Sequence, residues 1–185
     1  MTCPEQSRVG KQQPNEYATC EDFRNVFAGR LDDLYQLCLL LTGDPERAEH
    51  CFVASLGDCV TAHGVFRDWA RCWAKRTIIR IAIRELKPRP SVASSLSISV
   101  ADHICDFPRG GGRHFELAAI LALEDFERFV FVISVLERYS THDCALLLGC
   151  TRGQIKETRS GALAKLMESC PTLSSSEIYL EEVRR

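Results

Sequence analysis

The sequence predicts an all-α protein made of two small helical domains joined by a flexible linker, the C-terminal one containing a helix-turn-helix. Apolar residues recur at three- and four-residue spacing in both halves of the 185-residue chain, which is the period of amphipathic helices. The stretch between the halves is rich in serine, proline and glycine, which favours a connection. Hydrophobic residues make up 45% of the chain, enough for the core of one domain or of two small ones.

Two helices are predicted at the start of the first half. The first runs from Glu21 to Leu41, along an apolar face made of Phe23, Val26, Phe27, Leu31, Leu34, Leu37, Cys38 and Leu41. Gly43 ends it. The segment that starts at Asp44 supplies an N-cap, a proline at the first helical position and an acid near the positive end of the helix dipole. A second helix is therefore predicted to run to Val60.

A third helix, from about Phe66 to Leu86, is strongly basic. Its cations follow two edges at four-residue spacing: Arg67, Arg71 and Lys75 on one, and Arg76, Arg80 and Arg84 on the other. Residues 67–90 hold eight basic and two acidic side chains, a net of +6, whereas residues 20–60 hold three basic and eight acidic ones, a net of −5. Because close like charges destabilise a helix, this pattern indicates phosphate binding, and a merely solvated face is the alternative. Trp69 and Cys72 are expected on the apolar side.

The sequence around Pro88 and Pro90 stops the third helix and begins a serine-rich stretch that ends in three glycines. We therefore divide the chain into a flexible tail (1–19), a first helical domain (20–87), a linker (88–113), a second helical domain (114–170) and a charged tail (171–185). In the second domain, helices are predicted over 115–121 and over 124–138.

The sequence THDCALLLGCTRGQIKETRS, at 141–160, predicts two short helices joined by a tight turn. Ala145 is small where the helices would cross, Gly149 can adopt the positive φ of a sharp turn, and Ile155 would pack back against the first helix. Thr151 is the expected N-cap of the second helix. The first helix has an apolar side formed by Leu146, Leu147 and Leu148. This spacing fits a helix-turn-helix that enters the DNA major groove, and a helical hairpin that merely packs is the alternative.

Composition argues against several classes of function. The ten cysteines form no repeated C-x-x-C pair, so no metal is expected. Four lie among apolar helical neighbours and are expected in the core: Cys38, Cys51, Cys72 and Cys144. Without a phosphate loop, a nucleophile elbow or a metal-ligand set, neither an enzyme nor a cofactor is expected. No apolar run approaches ~20 residues and no secretory signal is recognisable, so we expect a cytoplasmic location and no membrane partner.

The order of these parts resembles that of RNA polymerase sigma factors of the extracytoplasmic-function type, of which the chain would be a divergent member. LYQLCLLLTGDPERAEH (34–50) is similar to the opening helix of that family, its turn and the start of its second helix. FRDWARCWAKRTIIRIAIREL (66–86) resembles the helix that helps to melt and read the downstream promoter element. Residues 121–166 are similar to the domain that reads the upstream element.

Three sets of site residues follow from this resemblance and from the chemistry of the side chains. The downstream element would be bound by Phe66, Arg67, Trp69, Arg71, Lys75, Arg76 and Arg80, cations holding the backbone and aromatic rings stacking on unpaired bases. The upstream element would be bound by Thr151, Arg152, Gln154, Lys156 and Arg159, at the start of the recognition helix. Docking on the polymerase would involve Glu46, Glu49 and Asp58.

The chain departs from the family pattern at two of these places. The family commonly carries an acidic, glutamine-containing docking segment where this chain has HCFVASLGDC (50–59), with Asp58 as its only negative side chain. In the recognition helix, Thr158, Gly161 and Leu163 replace arginines usual in the family, and Glu157 replaces a serine. Residues 141–168 carry four cations and three anions, a net of +1, so this half alone is expected to bind DNA weakly.

The sequence thus predicts a sigma-factor-like DNA-binding protein that directs RNA polymerase to promoters and helps to open them. The resemblance implies promoter DNA and core RNA polymerase as partners, with an anti-sigma protein as a further one. One alternative, favoured by the two departures, is a degenerate sigma-like scaffold that binds a protein partner without initiating transcription. Another is a DNA-binding repressor that uses only the C-terminal domain, which leaves the basic third helix unexplained.

Overall fold

A computed structural model describes residues 16–90 and 113–169, and it confirms the all-α fold. Within these two ranges there is no strand, only an isolated bridge between Tyr17 and Phe66. Most of the first predicted tail, the second predicted tail and residues 91–112 of the predicted linker lie outside the described residues.

The helices form two groups, which we name the front lobe (16–90) and the rear lobe (113–169). The front lobe contains α1 (Cys20–Gly29), α2 (Leu31–Thr42), α3 (Pro45–Val60), a 3₁₀ turn (Arg67–Trp69) and α4 (Ala70–Leu86). The rear lobe contains α5 (Arg113–Leu121), α6 (Asp125–Phe131), a π-helical turn (Val132–Leu136), α7 (Thr141–Leu148) and α8 (Arg152–Ser169).

The single helix predicted from Glu21 to Leu41 is wrong, because the chain breaks between α1 and α2. Arg30 leaves the helical region at φ −137°, ψ 34°, directly after Gly29, a residue with low helix propensity. The break lets α1 turn and pack on α3 and α4. Phe27 of α1 then meets Phe52 of α3 edge to face, at 5.2 Å between ring centroids. Tertiary packing therefore decides the boundary between α1 and α2, whereas the spacing of apolar residues continues across it without interruption.

The boundary between α2 and α3 follows the sequence closely. The Asp44 carboxylate accepts the backbone N–H of Arg47 at 2.9 Å and caps α3, with Pro45 at the first position. Gly43 ends α2 in the left-handed region at φ +71°. The third predicted helix starts later than expected, since Arg67–Trp69 form a 3₁₀ turn ahead of α4.

The helix-turn-helix geometry is present at the predicted positions. Gly149 has φ +66° and its N–H caps α7 on the carbonyl of Ala145. Ile155 of α8 is fully buried and Ala145 nearly so. Gln154 and Thr151 cap α8 reciprocally: the Gln154 Oε1 atom accepts the Thr151 N–H at 2.9 Å, and the Thr151 hydroxyl accepts the Gln154 N–H at 3.2 Å. Leu146, expected on the apolar side of α7, is instead exposed.

The two lobes pack against each other. In the described residues α2 contacts α5 and α6, and α4 contacts α7. The buried side chains of both lobes belong to one hydrophobic cluster, with Leu34, Leu41 and Ile78 on the front side and Phe129 and Ile133 on the rear side. The two DNA-facing elements of the sequence prediction are thus held close together.

The expected core cysteines are confirmed for Cys38, Cys51 and Cys144, which are buried, and wrong for Cys72, which is exposed. Cys72 lies between the buried positions Ala70 and Ala74 of α4, on the side of the helix that faces solvent. Within 16–90 and 113–169 there is no group of three metal-ligating side chains. No helix of that part of the chain is long and apolar enough to cross a membrane.

Candidate nucleic-acid interface

Three aromatic rings form an exposed cluster at the start of α4. Phe66 stacks on Tyr17, with 5.0 Å between centroids and 23° between planes, and meets Trp69 edge to face at 5.4 Å. Tyr17 is 46% and Trp69 65% exposed. The sequence suggested that Trp69 lines the apolar side of the helix, and this prediction is wrong, because the ring is exposed. An exposed array of rings is a surface on which unpaired bases can stack.

Tyr17 belongs to this surface although the sequence placed it in a flexible tail. The backbone of residues 16–18 pairs with the segment before α4: the Ala18 N–H donates to the Val65 carbonyl at 2.7 Å, and the Arg67 N–H to the Glu16 carbonyl at 3.0 Å. Sequence reasoning missed this pairing because the two segments lie far apart along the chain and neither carries a strand pattern. The sequence offered one indication that this segment is ordered, which is the aromatic residue Tyr17 two positions before the N-cap Thr19.

A capping box and an ion pair fix the cluster to α1. The Thr19 N–H and hydroxyl both donate to the Asp22 carboxylate at 2.8 Å, and Arg67 pairs with the same carboxylate at 3.2 Å through two nitrogens. These hydrogen bonds from Thr19, together with the Arg67 charge, hold the pKa of Asp22 below its usual range. Arg67 thus has a positioning role inside the protein in addition to the DNA contact predicted for it.

A cleft of about 390 Å³ opens beside the rings, between α1 and the start of α4. Its walls include Arg67, Arg71 and Arg30. Arg71, Arg76 and Arg80 are exposed along α4, as a phosphate-binding role requires. The front lobe therefore combines a basic cleft with an adjoining aromatic surface.

Lys75 is paired inside the molecule, as Arg67 is, but its partner lies in the other lobe. Its ammonium nitrogen lies 2.6 and 2.8 Å from the two carboxylate oxygens of Glu137, in the rear lobe. The two side chains are 27% and 15% exposed. As the lobes are packed here, the Lys75 ammonium group is occupied by Glu137, so its predicted contact with DNA would require this pair to open.

The start of the recognition helix α8 is accessible. Thr151, Arg152 and Lys156 are exposed, whereas Arg159 is half-buried. Arg152 contacts the His142 ring across the turn at 3.0 Å. Gln154 is half-buried and its side-chain oxygen is occupied by the cap on Thr151, so its predicted role in reading bases competes with its role in starting the helix.

The residues predicted for polymerase docking, Glu46, Glu49 and Asp58, are all exposed on α3. Val53 lies between them in sequence and is 61% exposed, a large apolar side chain that the sequence prediction did not include. Glu46, Glu49 and Val53 follow one exposed side of α3, whereas Asp58 lies round the helix, in a cleft with Arg80 and Arg84 of α4.

Comparisons with known proteins find likeness among solved structures. No protein-family model and no curated protein matches the chain. A solved structure of the sigma factor RpoE from Bartonella quintana, in complex with the anti-sigma factor NepR, matches with 20% sequence identity and a TM-score of 0.46. The match covers 84% of this chain and 99% of that one. At this level of similarity the likeness carries no conclusion about function, which is argued below from the chain's own residues.

Proposed function

We propose that this protein is a sigma-factor-like DNA-binding protein that directs RNA polymerase to promoters and helps to open them. The observation that carries the proposal is that one chain presents two accessible surfaces of different chemistry, each of a kind that suits nucleic acid. The front lobe presents stacked aromatic rings beside a basic cleft, and the rear lobe presents the exposed start of a helix-turn-helix recognition helix.

The front-lobe surface suits an unpaired strand. Aromatic stacking contributes roughly 1–3 kcal/mol per base and is independent of sequence, while a basic groove follows the backbone. Tyr17, Phe66 and Trp69 supply the rings. The exposed cations of α4, which are Arg71, Arg76 and Arg80, supply the charge. A surface of this kind stabilises melted DNA and thus favours promoter opening.

The rear-lobe surface suits a duplex. In a helix-turn-helix the first residues of the second helix contact base edges, while backbone N–H groups and cations contact phosphates. Arg152 and Lys156 are exposed in the first turns of α8. With a net charge of only +1 over 141–168, this lobe would add specificity to an affinity provided mainly by the front lobe and the polymerase.

The proposal is tested by reconstitution with core RNA polymerase. Genome-wide mapping of the protein's DNA occupancy, with polymerase occupancy measured in the same cells, supplies candidate promoters. The protein is then assayed for co-purification with core enzyme and for transcription from those promoters. We expect binding and a promoter-specific transcript. Absence of co-occupancy with polymerase would refute the proposal.

Two tryptophans of the front lobe allow a matched test of the aromatic surface. Trp69 lies in the ring cluster, whereas Trp73, one turn later in α4, lies outside it and is also exposed. Trp69→Ala should reduce affinity for a short single-stranded oligonucleotide by about fivefold or more, the loss expected for one stacked base. Trp73→Ala should leave it within about twofold. Equal losses would show that the ring cluster has no special role.

Two lysines of α8 allow the corresponding test of the recognition helix. Lys156 lies in its first turns, while Lys165 lies two turns further on, where it pairs with Glu127 at 2.7 Å. Lys156→Ala should reduce the slope of log affinity for duplex promoter DNA against log salt by about 0.9, the value for one phosphate contact. Lys165→Ala should leave that slope unchanged.

A second candidate function is a sigma-like scaffold that binds a protein partner without initiating transcription. It is favoured by two large apolar side chains on separate surfaces, Val53 on α3 and Leu146 on α7, which are 61% and 68% exposed. The reconstitution distinguishes the two candidates. Binding to core polymerase or to another protein, without any promoter-specific transcript, would support the scaffold.

A further inference from the structure

An acidic side chain lies at the edge of the basic cleft in the front lobe. Asp22 contributes to the wall of that cleft together with Arg67 and Arg71, and its side chain is 22% exposed. A negative charge beside a surface that binds phosphates ordinarily weakens binding, because it repels the polyanion and neutralises a cation. The contacts of the Asp22 carboxylate indicate why this charge is present.

The carboxylate joins the two chain segments that carry the aromatic rings. The Thr19 N–H and hydroxyl donate to it at 2.8 Å each, and Thr19 lies two residues after Tyr17. From the other side, the Arg67 Nη2 and Nε atoms each lie 3.2 Å from a carboxylate oxygen, and Arg67 directly follows Phe66. Hydrogen bonds to an ionised group are roughly twice as strong as those between neutral groups. One charged side chain thus holds both segments to the start of α1.

The backbone bridge between these segments is short. Two hydrogen bonds pair them, from the Ala18 N–H to the Val65 carbonyl at 2.7 Å and from the Arg67 N–H to the Glu16 carbonyl at 3.0 Å. Each such bond adds only a modest net stabilisation, because water offers the same groups alternative partners. The bonds to the Asp22 carboxylate therefore reinforce a bridge that is weak by itself.

The arrangement of the rings depends on this bridge. Phe66 is the middle ring: Tyr17 stacks on it at 5.0 Å, with 23° between planes, and Trp69 meets it edge to face at 5.4 Å. Phe66 is 37% exposed, less than either neighbour. The two outer rings therefore offer the larger surfaces to unpaired bases. Tyr17 keeps its place on Phe66 only while its segment stays paired.

A second ion pair at the same cleft provides a comparison. Arg30, which also lines the cleft, lies 3.2 Å from the Asp33 carboxylate, and the two side chains are 45% and 58% exposed. Asp33 is in the first turn of α2 and Arg30 is the N-cap of that helix, so the pair joins close neighbours. Asp33 thus shares with Asp22 a guanidinium partner in the cleft wall, but it does not link the segments that carry the rings.

We propose that Asp22 is a positioning residue for the binding of single-stranded DNA. Its carboxylate contacts no nucleotide; it holds Tyr17 against Phe66 and Trp69, and unpaired bases stack on the rings so arranged. The inference rests on the proposed function, because it assumes that the ring cluster binds unpaired bases. Its consequence is opposite in sign to that of charge alone. Removing an anion from a basic cleft strengthens the binding of a polyanion, whereas removing this anion should weaken it.

The test compares Asp22→Asn with Asp33→Asn, which remove the same charge from the two ion pairs. The affinity of the full chain for a short single-stranded oligonucleotide is measured by fluorescence anisotropy. Asp22→Asn should weaken binding by about fivefold or more, the loss expected for one stacked base. Asp33→Asn should leave the affinity equal to that of the wild type or higher, because it only removes negative charge.

Two further variants separate positioning from a general structural effect. Asp22→Glu should bind within about twofold of the wild type, because glutamate is the usual acid of a capping box and keeps the charge beside Arg67. In a Tyr17→Ala background, Asp22→Asn should cause less than about a twofold further loss, because the ring that it positions is absent.

Tryptophan fluorescence reports the ring cluster without DNA. The chain has two tryptophans, so in a Trp73→Phe background the emission comes from Trp69 alone. Its steady-state anisotropy should fall in Asp22→Asn, because the ring gains freedom when Phe66 loses its stacking partner, and it should not change in Asp33→Asn. Far-UV circular dichroism of each variant checks that the helices are retained.

Three results would overturn the inference: an oligonucleotide affinity of Asp22→Asn equal to or higher than that of the wild type, an equal loss in Asp33→Asn, or an unchanged Trp69 anisotropy in Asp22→Asn. Failure of the proposed function is seen separately, as the absence of a promoter-specific transcript from wild-type protein with core polymerase.

Discussion

The buried guanidinium group of Arg128, in α6, lies at the C-terminal end of α2, 3.5 Å from the Leu41 carbonyl oxygen. This position leads to a prediction about two glycines that have the same backbone conformation in different surroundings. Gly43 has φ +71° and Gly64 has φ +75°. A Cβ atom built on Gly43 would lie 2.9 Å from the Arg128 Nη2 atom, closer than real Cβ atoms approach other atoms, and 3.0 Å from Cζ, so the guanidinium group would have to move. A Cβ atom built on Gly64 would meet nothing within 4 Å.

Alanine at each position therefore measures a different sum of costs. An L-residue in the left-handed region costs roughly 1–2 kcal/mol, and Gly64→Ala should lose about that amount. Gly43→Ala has the same cost and also displaces a buried guanidinium group that donates to Leu123 and Asp125. Leaving buried donors poorly paired costs roughly 1–3 kcal/mol more. We expect Gly43→Ala to lose about 2–5 kcal/mol in total.

The assay is urea unfolding of the full chain followed by far-UV circular dichroism. Combining Gly43→Ala with Arg128→Met completes a double-mutant cycle: once the guanidinium group is absent, alanine at position 43 should cost only the backbone term. The coupling energy should be about 1 kcal/mol or more, within the range for residues in contact. Equal losses for Gly43→Ala and Gly64→Ala, or a coupling energy near zero, would refute the close approach of Arg128 to the end of α2.

Three further outcomes follow from the structure. Tyr17→Ala should weaken binding of single-stranded oligonucleotides by about fivefold or more in fluorescence anisotropy, because the ring extends the stacking surface. The pKa of Asp22 is lowered in the folded state, so its contribution to stability is present above its unfolded pKa of about 3.9 and is lost as pH falls through the lower folded value. Urea unfolding should therefore show the difference between wild type and Asp22→Asn shrinking below about pH 4. Maleimide should modify exposed Cys72 in the native protein and buried Cys144, whose pKa burial raises to about 11, only after unfolding, as checked by mass spectrometry of digests.

Local chemistry explains which features could be predicted from the sequence. The turn at Gly149 and the cap at Thr151 depend on residues within a few positions of each other, and both are in the structure where the sequence placed them. The same is true of the cap at Asp44. Such features are decided by backbone sterics and by one side chain reaching a nearby N–H group, and a single sequence contains that information.

The errors involve contacts between distant parts of the chain. The break at Arg30 follows from packing of α1 on α3 and α4, which overrides an apolar period that continues through it. Tyr17 joins the site through pairing with residues 65–67, and neither segment alone indicates it. Cys72 has apolar neighbours in sequence but faces solvent, because the angular position on α4, more than local composition, decides its burial.

The charges of α4 show what a sequence pattern can and cannot indicate about the partners of its side chains. Repulsion among the six cations acts over three or four positions, so the sequence alone indicates that an anion should lie nearby. It does not indicate which anion. For Lys75 the structure supplies a carboxylate from a residue 62 positions away, while Arg71, Arg76 and Arg80 remain exposed. One cation of α4 thus has its anionic partner in the rear lobe, while these three arginines face solvent. Under the proposed function, the phosphates of a bound nucleic-acid strand would be their partners.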